Sequence, residues 1–240
     1  MSASLAAAGR FDGAMVDLDG TMVDTLGDFV AALNLMLDDL GLGSVNRVQV
    51  ERLVGKGSEH LIKSVLFLVG AGNIAPNNIA IDKSGFSVEA LFPVAWQRYQ
   101  HHYLAVNGQF SQVYPGVIDG LQVLKKRGLK LACLTNKPII FADALLRVKR
   151  LHGFFDVSFG GDAFERKKPD PLPLIKTCAA LGTAPIRTLM IGDSSNDAQA
   201  ARAAGCPVLL MTYGYNHGEP VRGVDADGFL DSLAEVGQFI

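Results

Sequence analysis

The segment AMVDLDGTMVDT, Ala14–Thr25, begins as an apolar run and then places Asp17 and Asp19 one residue apart, followed at once by a Gly-Thr pair. Side chains at positions i and i+2 of an extended chain point to the same side. The segment therefore predicts a buried strand, Ala14–Leu18, that ends with two carboxylates facing one small volume. Two like charges in such a volume raise each other's pKa unless a cation lies between them.

The rest of the chain alternates short apolar runs with helical patterns. Further strands are predicted at Leu129–Thr135, Val157–Gly160, Thr188–Gly192, Val208–Met211 and Gly228–Leu230. Apolar residues at helical spacing predict helices that stop at Gly128 and Gly182. Strands that are apolar on both faces and separated by helices are typical of a covered parallel sheet. The sequence thus predicts an α/β fold with a doubly wound, Rossmann-like parallel sheet that binds ligands at the carboxyl ends of its strands.

The interval between the first two strands departs from this alternation, because it contains helical patterns and no strand pattern. The first predicted helix ends before Gly41, the second runs from a Ser58 cap through Leu68, and the third spans Val88–Val106. Pro93 is tolerated in the third helix only near its first turn. A polar loop is predicted at residues 70–85, and Asp24 is expected to cap or begin the first helix. We predict a core of residues 1–23 and 113–240 and an inserted helical cap domain of residues 24–112.

Composition limits the classes of partner. Of the 240 residues, 49% are hydrophobic, and the net charge of −2 provides no field of one sign to attract nucleic acid or a membrane surface. Residues 1–10 lack the pattern of a secretory signal and are expected to form a frayed tail, and no apolar run approaches the roughly 20 residues of a membrane span. Cys133, Cys178 and Cys206 lie apart in apolar segments, which predicts buried thiols and a cytoplasmic location. A small-molecule partner and a monomer or homodimer are expected.

A second group of acids lies in MIGDSSND, Met190–Asp197, where an apolar strand again ends in an acid, Asp193. Asp197 falls near the start of an Ala-rich helix, where a favourable charge at the helix N-terminus is the simpler interpretation. Three or four acids at neighbouring strand ends repel one another unless a hard cation lies among them. Oxygen ligands suit Mg²⁺, so the sequence predicts a metal site.

Two further strand ends carry groups of opposite polarity. Thr135 and Asn136 end one strand in LACLTNKP, and Lys168 precedes a proline in RKKPDP. Taken alone, Thr135 fits a strand-end hydrogen bond and Lys168 fits a solvated charge. Together with a metal they describe a receptor for a phosphoryl dianion. An aspartate is ionised at neutral pH, so one acid can attack phosphorus while its neighbour transfers protons.

The four stretches DLDGT (17–21), LTN (134–136), Lys168-Pro169 and GDSSND (192–197) resemble, in this order, the motifs of the haloacid dehalogenase superfamily. The aspartate at the second acidic position of DLDGT is similar to the pattern of the phosphatase and phosphomutase branch of this superfamily. The resemblance spans nearly the whole chain and implies an α/β core with a helical cap that closes over small substrates.

The resemblance also implies residue roles. Asp17 would be the nucleophile and Asp19 the general acid and base. Phosphoryl oxygens would be held by Gly20, Thr135, Asn136 and Lys168. Mg²⁺ would be bound by Asp17, Asp193 and the backbone carbonyl of Asp19, with Asp197 ligating through water or orienting the metal shell.

Within this superfamily, YPGVIDGLQVLKKRG, TNKP and YGYNHGEP (Tyr213–Pro220) resemble the phosphoglycolate phosphatases. Tyr213–Pro220 equally fits a plain surface turn. The stretch LVGKGSEHL has Lys56 between two glycines, where the phosphoglycolate phosphatases are expected to have a small polar residue. Two interpretations of Lys56 are open: it pairs with a substrate carboxylate, or it is an exposed loop lysine. The predicted activity is Mg²⁺-dependent hydrolysis of 2-phosphoglycolate. The alternatives are a phosphatase or phosphomutase for another small ester, such as a sugar phosphate or nucleotide, and a phosphate sensor without turnover.

Overall fold

The computed structural model describes residues 11–72 and 87–240. The chain divides into two compact units, one of Met1–Asp24 with Gln112–Ile240 and the other of Thr25–Ser111. The frayed tail predicted at residues 1–10 and most of the loop predicted at 70–85 lie outside the described residues. No helix within the described ranges is both long and apolar enough to cross a membrane.

The strands of the first unit are β1 Gly13–Val16, β2 Val23–Asp24, β3 Gln112–Val113, β4 Lys130–Leu134, β5 Val157–Phe159, β6 Thr188–Gly192, β7 Val208–Met211 and β8 Gly228–Leu230. Six of them form a sheet with the order β5-β4-β1-β6-β7-β8, in which every neighbouring pair is parallel. A separate antiparallel pair joins β2 to β3. The predicted α/β fold with a parallel sheet is confirmed.

In the first unit, the helices of the described residues alternate with the strands as predicted. The described part of the second unit is helical. They are α1 Leu26–Asp39, α2 Arg47–Glu51, α3 Ser58–Gly72, α4 Val88–Val106, α5 Val117–Lys126, α6 Ile139–Val148, α7 Leu172–Leu181 and α8 Ser195–Ala204. Alternate residues of the parallel strands pack on opposite faces of the sheet. One face is covered by α5 and α6 and the other by α7 and α8, so the sheet is doubly wound.

The first strand ends earlier than predicted, at Val16 and not Leu18. The backbone N–H groups of Met22 and Val23 both donate to the carbonyl of Leu18, at 3.0 Å each, so the chain has already turned there. Gly20 has a φ of +80°, a conformation that favours glycine and permits this turn. Asp17 and Asp19 therefore follow the strand and precede the turn at residues 20–22, and the N–H of Asp17 still donates to β6, at the carbonyl of Ile191.

The predicted span Val88–Val106 of α4 is confirmed, whereas the predictions for Ser58, Pro93 and Asp24 are wrong. Ser58 is the first residue of α3 and not its cap, and that helix continues to Gly72. Ser87 caps α4, so Pro93 lies in the second helical turn, where its missing N–H removes one helix hydrogen bond. Asp24 does not cap α1, since Thr25 holds that position and Asp24 belongs to β2.

Asp28 closes the second unit on itself. Its buried carboxylate accepts backbone hydrogen bonds from Gly108 at 2.8 Å and Phe110 at 2.7 Å, which follow α4. The first turn of α1 is thereby joined to the segment in which the chain leaves this unit, 80 residues later in the sequence.

Candidate active site

The candidate site lies at the carboxyl ends of β4, β1 and β6, which are neighbours in the sheet. Asp17 follows β1, and its N–H donates to the carbonyl of Ile191 in β6 at 2.9 Å. Thr135 follows β4, and its N–H donates to Phe159 of β5 at 3.1 Å. The sheet therefore gathers segments that are far apart in sequence at one edge, as the strand-end argument predicts.

Lys168 is the buried cation of the site. Its Nζ lies 2.7 Å from Asp197 Oδ1 and 3.1 Å from Asp17 Oδ1, and it donates to the carbonyl of Leu134 at 2.9 Å. The side-chain amide of Asn136 fixes the backbone of Lys168 from both sides, since it donates to the carbonyl at 2.8 Å and accepts from the N–H at 3.0 Å. Asn136 thus positions the lysine, and its predicted contact with phosphoryl oxygens stays a prediction.

Burial and neighbouring charges together shift the pKa values of these groups. It raises the pKa of Asp17 to about 7, and the neighbouring carboxylates add to this shift while the charge of Lys168 opposes it. Burial and the charges of two other aspartates also raise the pKa of Asp193 well above its usual range. Burial alone would lower the pKa of Lys168, but Asp17 and Asp197 raise it, so the lysine stays charged.

The donor set fits a hard divalent cation. Carboxylate oxygens of Asp17, Asp193 and Asp197 lie within 4.8 Å of one another, and all three side chains are buried. The buried Oδ1 of Asp17 has no hydrogen-bond partner, because the nearby ammonium of Lys168 is not aligned for one. Clustered, buried acids with an unsatisfied oxygen are stabilised by a cation, and an all-oxygen set suits Mg²⁺.

Asp193 is held by groups that approach from two other segments. Thr21 Oγ1 donates to Asp193 Oδ1 at 3.2 Å, and the backbone N–H of Tyr215 donates to Oδ2 at 2.5 Å. A Cβ added at Gly20 would lie 2.2 Å from Asp193 Oδ2, so a glycine is required there for close approach. Contact of Gly20 with substrate stays a prediction.

Asp197 uses most of its carboxylate on the protein itself. Its Oδ2 accepts from Ser194 Oγ at 2.9 Å and from the backbone N–H groups of Asp193 and Ser194 at 3.2 Å each, which caps α8. Its Oδ1 faces Lys168. These contacts favour the predicted orienting role of Asp197, and metal ligation by it stays a prediction.

Sequence reasoning missed Lys137. Its Nζ lies 2.8 Å from Asp19 Oδ1 and 3.0 Å from Oδ2, and its side chain is only 2% exposed. Asp17 and Asp19 therefore face different lysines. Lys137 is the next residue of TNKP after Thr135 and Asn136, so its position just past the end of β4 is the signal that could have found it.

The loop Tyr213–Pro220 also contributes to the site. Besides the contact of Tyr215 with Asp193, the hydroxyl of Tyr215 donates to Asp24 Oδ1 at 2.5 Å, and that of Tyr213 donates to the carbonyl of Thr21 at 2.8 Å. Asn216 accepts from the N–H of Ser195 at 2.9 Å at the start of α8. The loop is therefore part of the support of Asp193 and not a plain surface turn.

Lys56 lies in the second unit, in the bend before α3, and is exposed. Its contact with substrate stays a prediction.

Comparisons with known proteins agree with this geometry. Residues 14–211 match the family model of the haloacid dehalogenase-like hydrolases. The chain is 40% identical to the phosphoglycolate phosphatase of Thiobacillus denitrificans and 38% identical to that of Nitrosospira multiformis, over 94% of each chain in both cases. A crystal structure of a predicted phosphoglycolate phosphatase from Haemophilus somnus superposes with a TM-score of 0.85 at 29% identity, covering 95% of this chain and 97% of that one. The chain belongs to the haloacid dehalogenase-like hydrolases.

Proposed function

We propose that this hydrolase is a Mg²⁺-dependent phosphomonoesterase that converts 2-phosphoglycolate to glycolate and phosphate. The observation that carries the chemistry is the buried Asp17 carboxylate, which has an unsatisfied Oδ1 and the ammonium of Lys168 at 3.1 Å. The choice of substrate is supported by the named relatives, which match this chain almost from end to end.

In the first step, a carboxylate oxygen of Asp17 attacks phosphorus. The bond to the ester oxygen breaks, and that oxygen takes the proton carried by the neutral side chain of Asp19 and leaves as the alcohol of glycolate, so that Asp19 becomes a carboxylate. In the second step, Asp19 takes a proton from water, and the resulting hydroxide attacks the phosphorus of the aspartyl phosphate. Phosphate leaves, and the Asp17 carboxylate is regenerated.

The remaining residues hold charge and geometry. Lys168 balances the negative charge that Asp17 and the phosphoryl group bring together, and Thr135 donates from its hydroxyl to a phosphoryl oxygen. Asp17 and Asp193, with the backbone carbonyl of Asp19, would hold Mg²⁺, oriented by Asp197. When bound, the ion supplies neutralisation of the charge shared by nucleophile and phosphoryl group.

The second unit, Thr25–Ser111, serves as the cap domain predicted at residues 24–112, and the first unit serves as the core predicted at 1–23 and 113–240. Lys56 in this cap pairs with the carboxylate that distinguishes phosphoglycolate from uncharged alcohol esters. The protein acts in the cytoplasm as a monomer or homodimer, and the location is supported by three cysteines that are buried free thiols.

The test is phosphate release by the purified protein with Mg²⁺ from 2-phosphoglycolate, glucose 6-phosphate, glucose 1-phosphate and a nucleoside monophosphate. We expect the highest kcat/KM with phosphoglycolate. A value no higher than those for the sugar phosphates contradicts the proposed substrate. Release of phosphate from none of the esters contradicts the proposed reaction.

A further inference from the structure

Lys137 holds the carboxylate of Asp19 by both oxygens. The distances from Nζ are 2.8 and 3.0 Å, and the two side chains are 2% and 12% exposed. Within residues 11–72 and 87–240, no other group donates a hydrogen bond to this carboxylate. The orientation of Asp19 therefore depends on one buried lysine.

The two lysines of the site pair with different carboxylates. Lys168 faces Asp17 and Asp197, which belong to the candidate metal cluster, whereas Lys137 pairs with Asp19, whose carboxylate lies outside that cluster. Removing the charge of Lys137 should therefore act on Asp19 and leave the metal cluster in place.

The backbone of Lys137 is anchored in the turn after β4. Its N–H donates to Thr135 Oγ1 at 3.2 Å, and its carbonyl accepts from the N–H of Gly161 at 2.8 Å. Pro138, the next residue, precedes the first residue of α6. A lysine fixed by its main chain on both sides can hold its partner in one orientation.

We propose that Lys137 is a positioning residue for Asp19, which it orients for proton transfer to the leaving oxygen and from water. The inference rests on the proposed function, in which Asp19 moves both protons. Proton transfer requires donor and acceptor atoms within hydrogen-bond reach, and a misplacement of about 1 Å costs roughly 10²-fold in rate.

The test compares two leaving groups in the variant Lys137→Met, which keeps the length of the side chain without its charge. Glycolate must be protonated as it leaves, whereas nitrophenolate leaves from p-nitrophenyl phosphate without a proton. We expect kcat with phosphoglycolate to fall about 10²-fold with KM changed less than threefold, about the loss that a misplaced proton donor causes. With p-nitrophenyl phosphate, the initial burst of nitrophenolate should keep the wild-type rate, followed by slow turnover and accumulation of phosphorylated protein in the mass spectrum.

A double-mutant cycle with Asp19→Asn separates positioning from a structural role. Asp19→Asn should give the same pattern, and the double variant should be no slower than Asp19→Asn alone, because the proposed role of Lys137 is to position that carboxylate. The matched control is Lys167→Met, an exposed lysine whose replacement should leave both rates unchanged. If Lys137→Met does not fold, Lys137→Gln replaces it in the same cycle.

The proposal is overturned by an equal loss of burst rate and kcat, by additive effects in the double variant, or by a rise in KM for phosphoglycolate alone. The last result would make Lys137 a ligand of the substrate carboxylate. A wild-type protein that hydrolyses p-nitrophenyl phosphate but not phosphoglycolate contradicts only the substrate proposed above, since the burst and the double-mutant cycle still test the lysine. A wild-type protein that hydrolyses neither overturns both proposals.

Discussion

The ammonium of Lys168 lies 2.7 Å from Asp197 Oδ1, and the two side chains are 2% and 1% exposed. Breaking a buried ion pair by removing one partner costs about 3–5 kcal/mol when the other charge is left uncompensated. Asp197→Ala leaves Asp17 as a charged partner of Lys168 at 3.1 Å, so it should lower the free energy of unfolding by less than that, about 2–3 kcal/mol. Urea denaturation measures this loss. Asp197→Asn, which keeps acceptor capacity for the start of α8, should lose less, and an alanine variant as stable as the wild type contradicts the prediction.

Asp17→Asn should retain the fold and lose the activity. An amide of the same size occupies the space of the carboxylate but does not attack phosphorus, so kcat/KM should fall by about 10⁴-fold or more, as for the loss of a covalent nucleophile. Phosphate release and circular dichroism together check both parts. An active Asp17→Asn protein would mean that another group is the nucleophile.

Mg²⁺ should stabilise the folded protein without any substrate. A ligand that binds only the folded state adds RT ln(1 + [L]/Kd) to the free energy of unfolding, about 2.7 kcal/mol at 100 times Kd. Thermal unfolding should shift upward with Mg²⁺ and return to its starting value with a chelator. The shift should be lost in Asp193→Asn and kept in Asp225→Asn, an exposed carboxylate paired with Arg202. An undiminished shift in Asp193→Asn would exclude Asp193 as a ligand.

Asp28→Ala should destabilise the second unit. The substitution leaves the N–H groups of Gly108 and Phe110 without the carboxylate that accepts from both. Partly buried donors without partners cost about 1–3 kcal/mol, so we expect a loss of about 2 kcal/mol in the free energy of unfolding. Asp28→Asn keeps one acceptor oxygen and should be intermediate. Equal stability of the alanine variant and the wild type would show that water replaces the carboxylate at no cost.

Asp156 should make stability depend on pH below neutrality. A backbone hydrogen bond from Leu131 at 2.7 Å, with a smaller contribution from Lys125, holds the pKa of Asp156 below its usual value. A lowered pKa in the folded state contributes stability above the pKa of the unfolded chain, and this contribution is lost as the pH falls through the folded value. Asp156→Asn should thus be less stable than the wild type at pH 7, by about 1 kcal/mol or less because solvent screens the half-exposed carboxylate.

The difference between Asp156→Asn and the wild type should shrink as the pH is lowered, when both side chains become neutral. Urea denaturation at neutral and acidic pH measures it. Asp143→Asn, on the exposed surface of α6, provides the comparison. A difference that is constant with pH contradicts the electrostatic origin.

The main residues of the candidate site could be predicted because a parallel sheet brings its strand ends together. Asp17, Thr135 and Asp193 each follow an apolar run, and the run itself reveals the strand. Local rules failed where a distant partner decides the role of a residue. Asp24 is of a residue type that often caps helices, but its carboxylate accepts a hydrogen bond from the hydroxyl of Tyr215, 191 positions later in the sequence.

Other features of the structure leave no periodic pattern of apolar and polar residues in the sequence. The strands β2 and β3 contain two residues each, too few to show an alternating pattern. The pairing of Lys137 with Asp19 depends on the direction of two side chains in turns, where neither helix nor strand periodicity applies. The predicted strand ends therefore identify where the site lies, whereas the pairing of its side chains with one another is visible only in the structure.

The strand order has a consequence for synthesis of the protein. β1 lies in the middle of the sheet, between β4 and β6, although it is the first strand of the chain and β6 does not begin until Thr188. A nascent chain that has left the ribosome only as far as β5 exposes an apolar strand edge with unpaired backbone groups, a surface prone to aggregation. Slow translation before Thr188 would prolong that exposure, so chaperone demand should peak late in elongation.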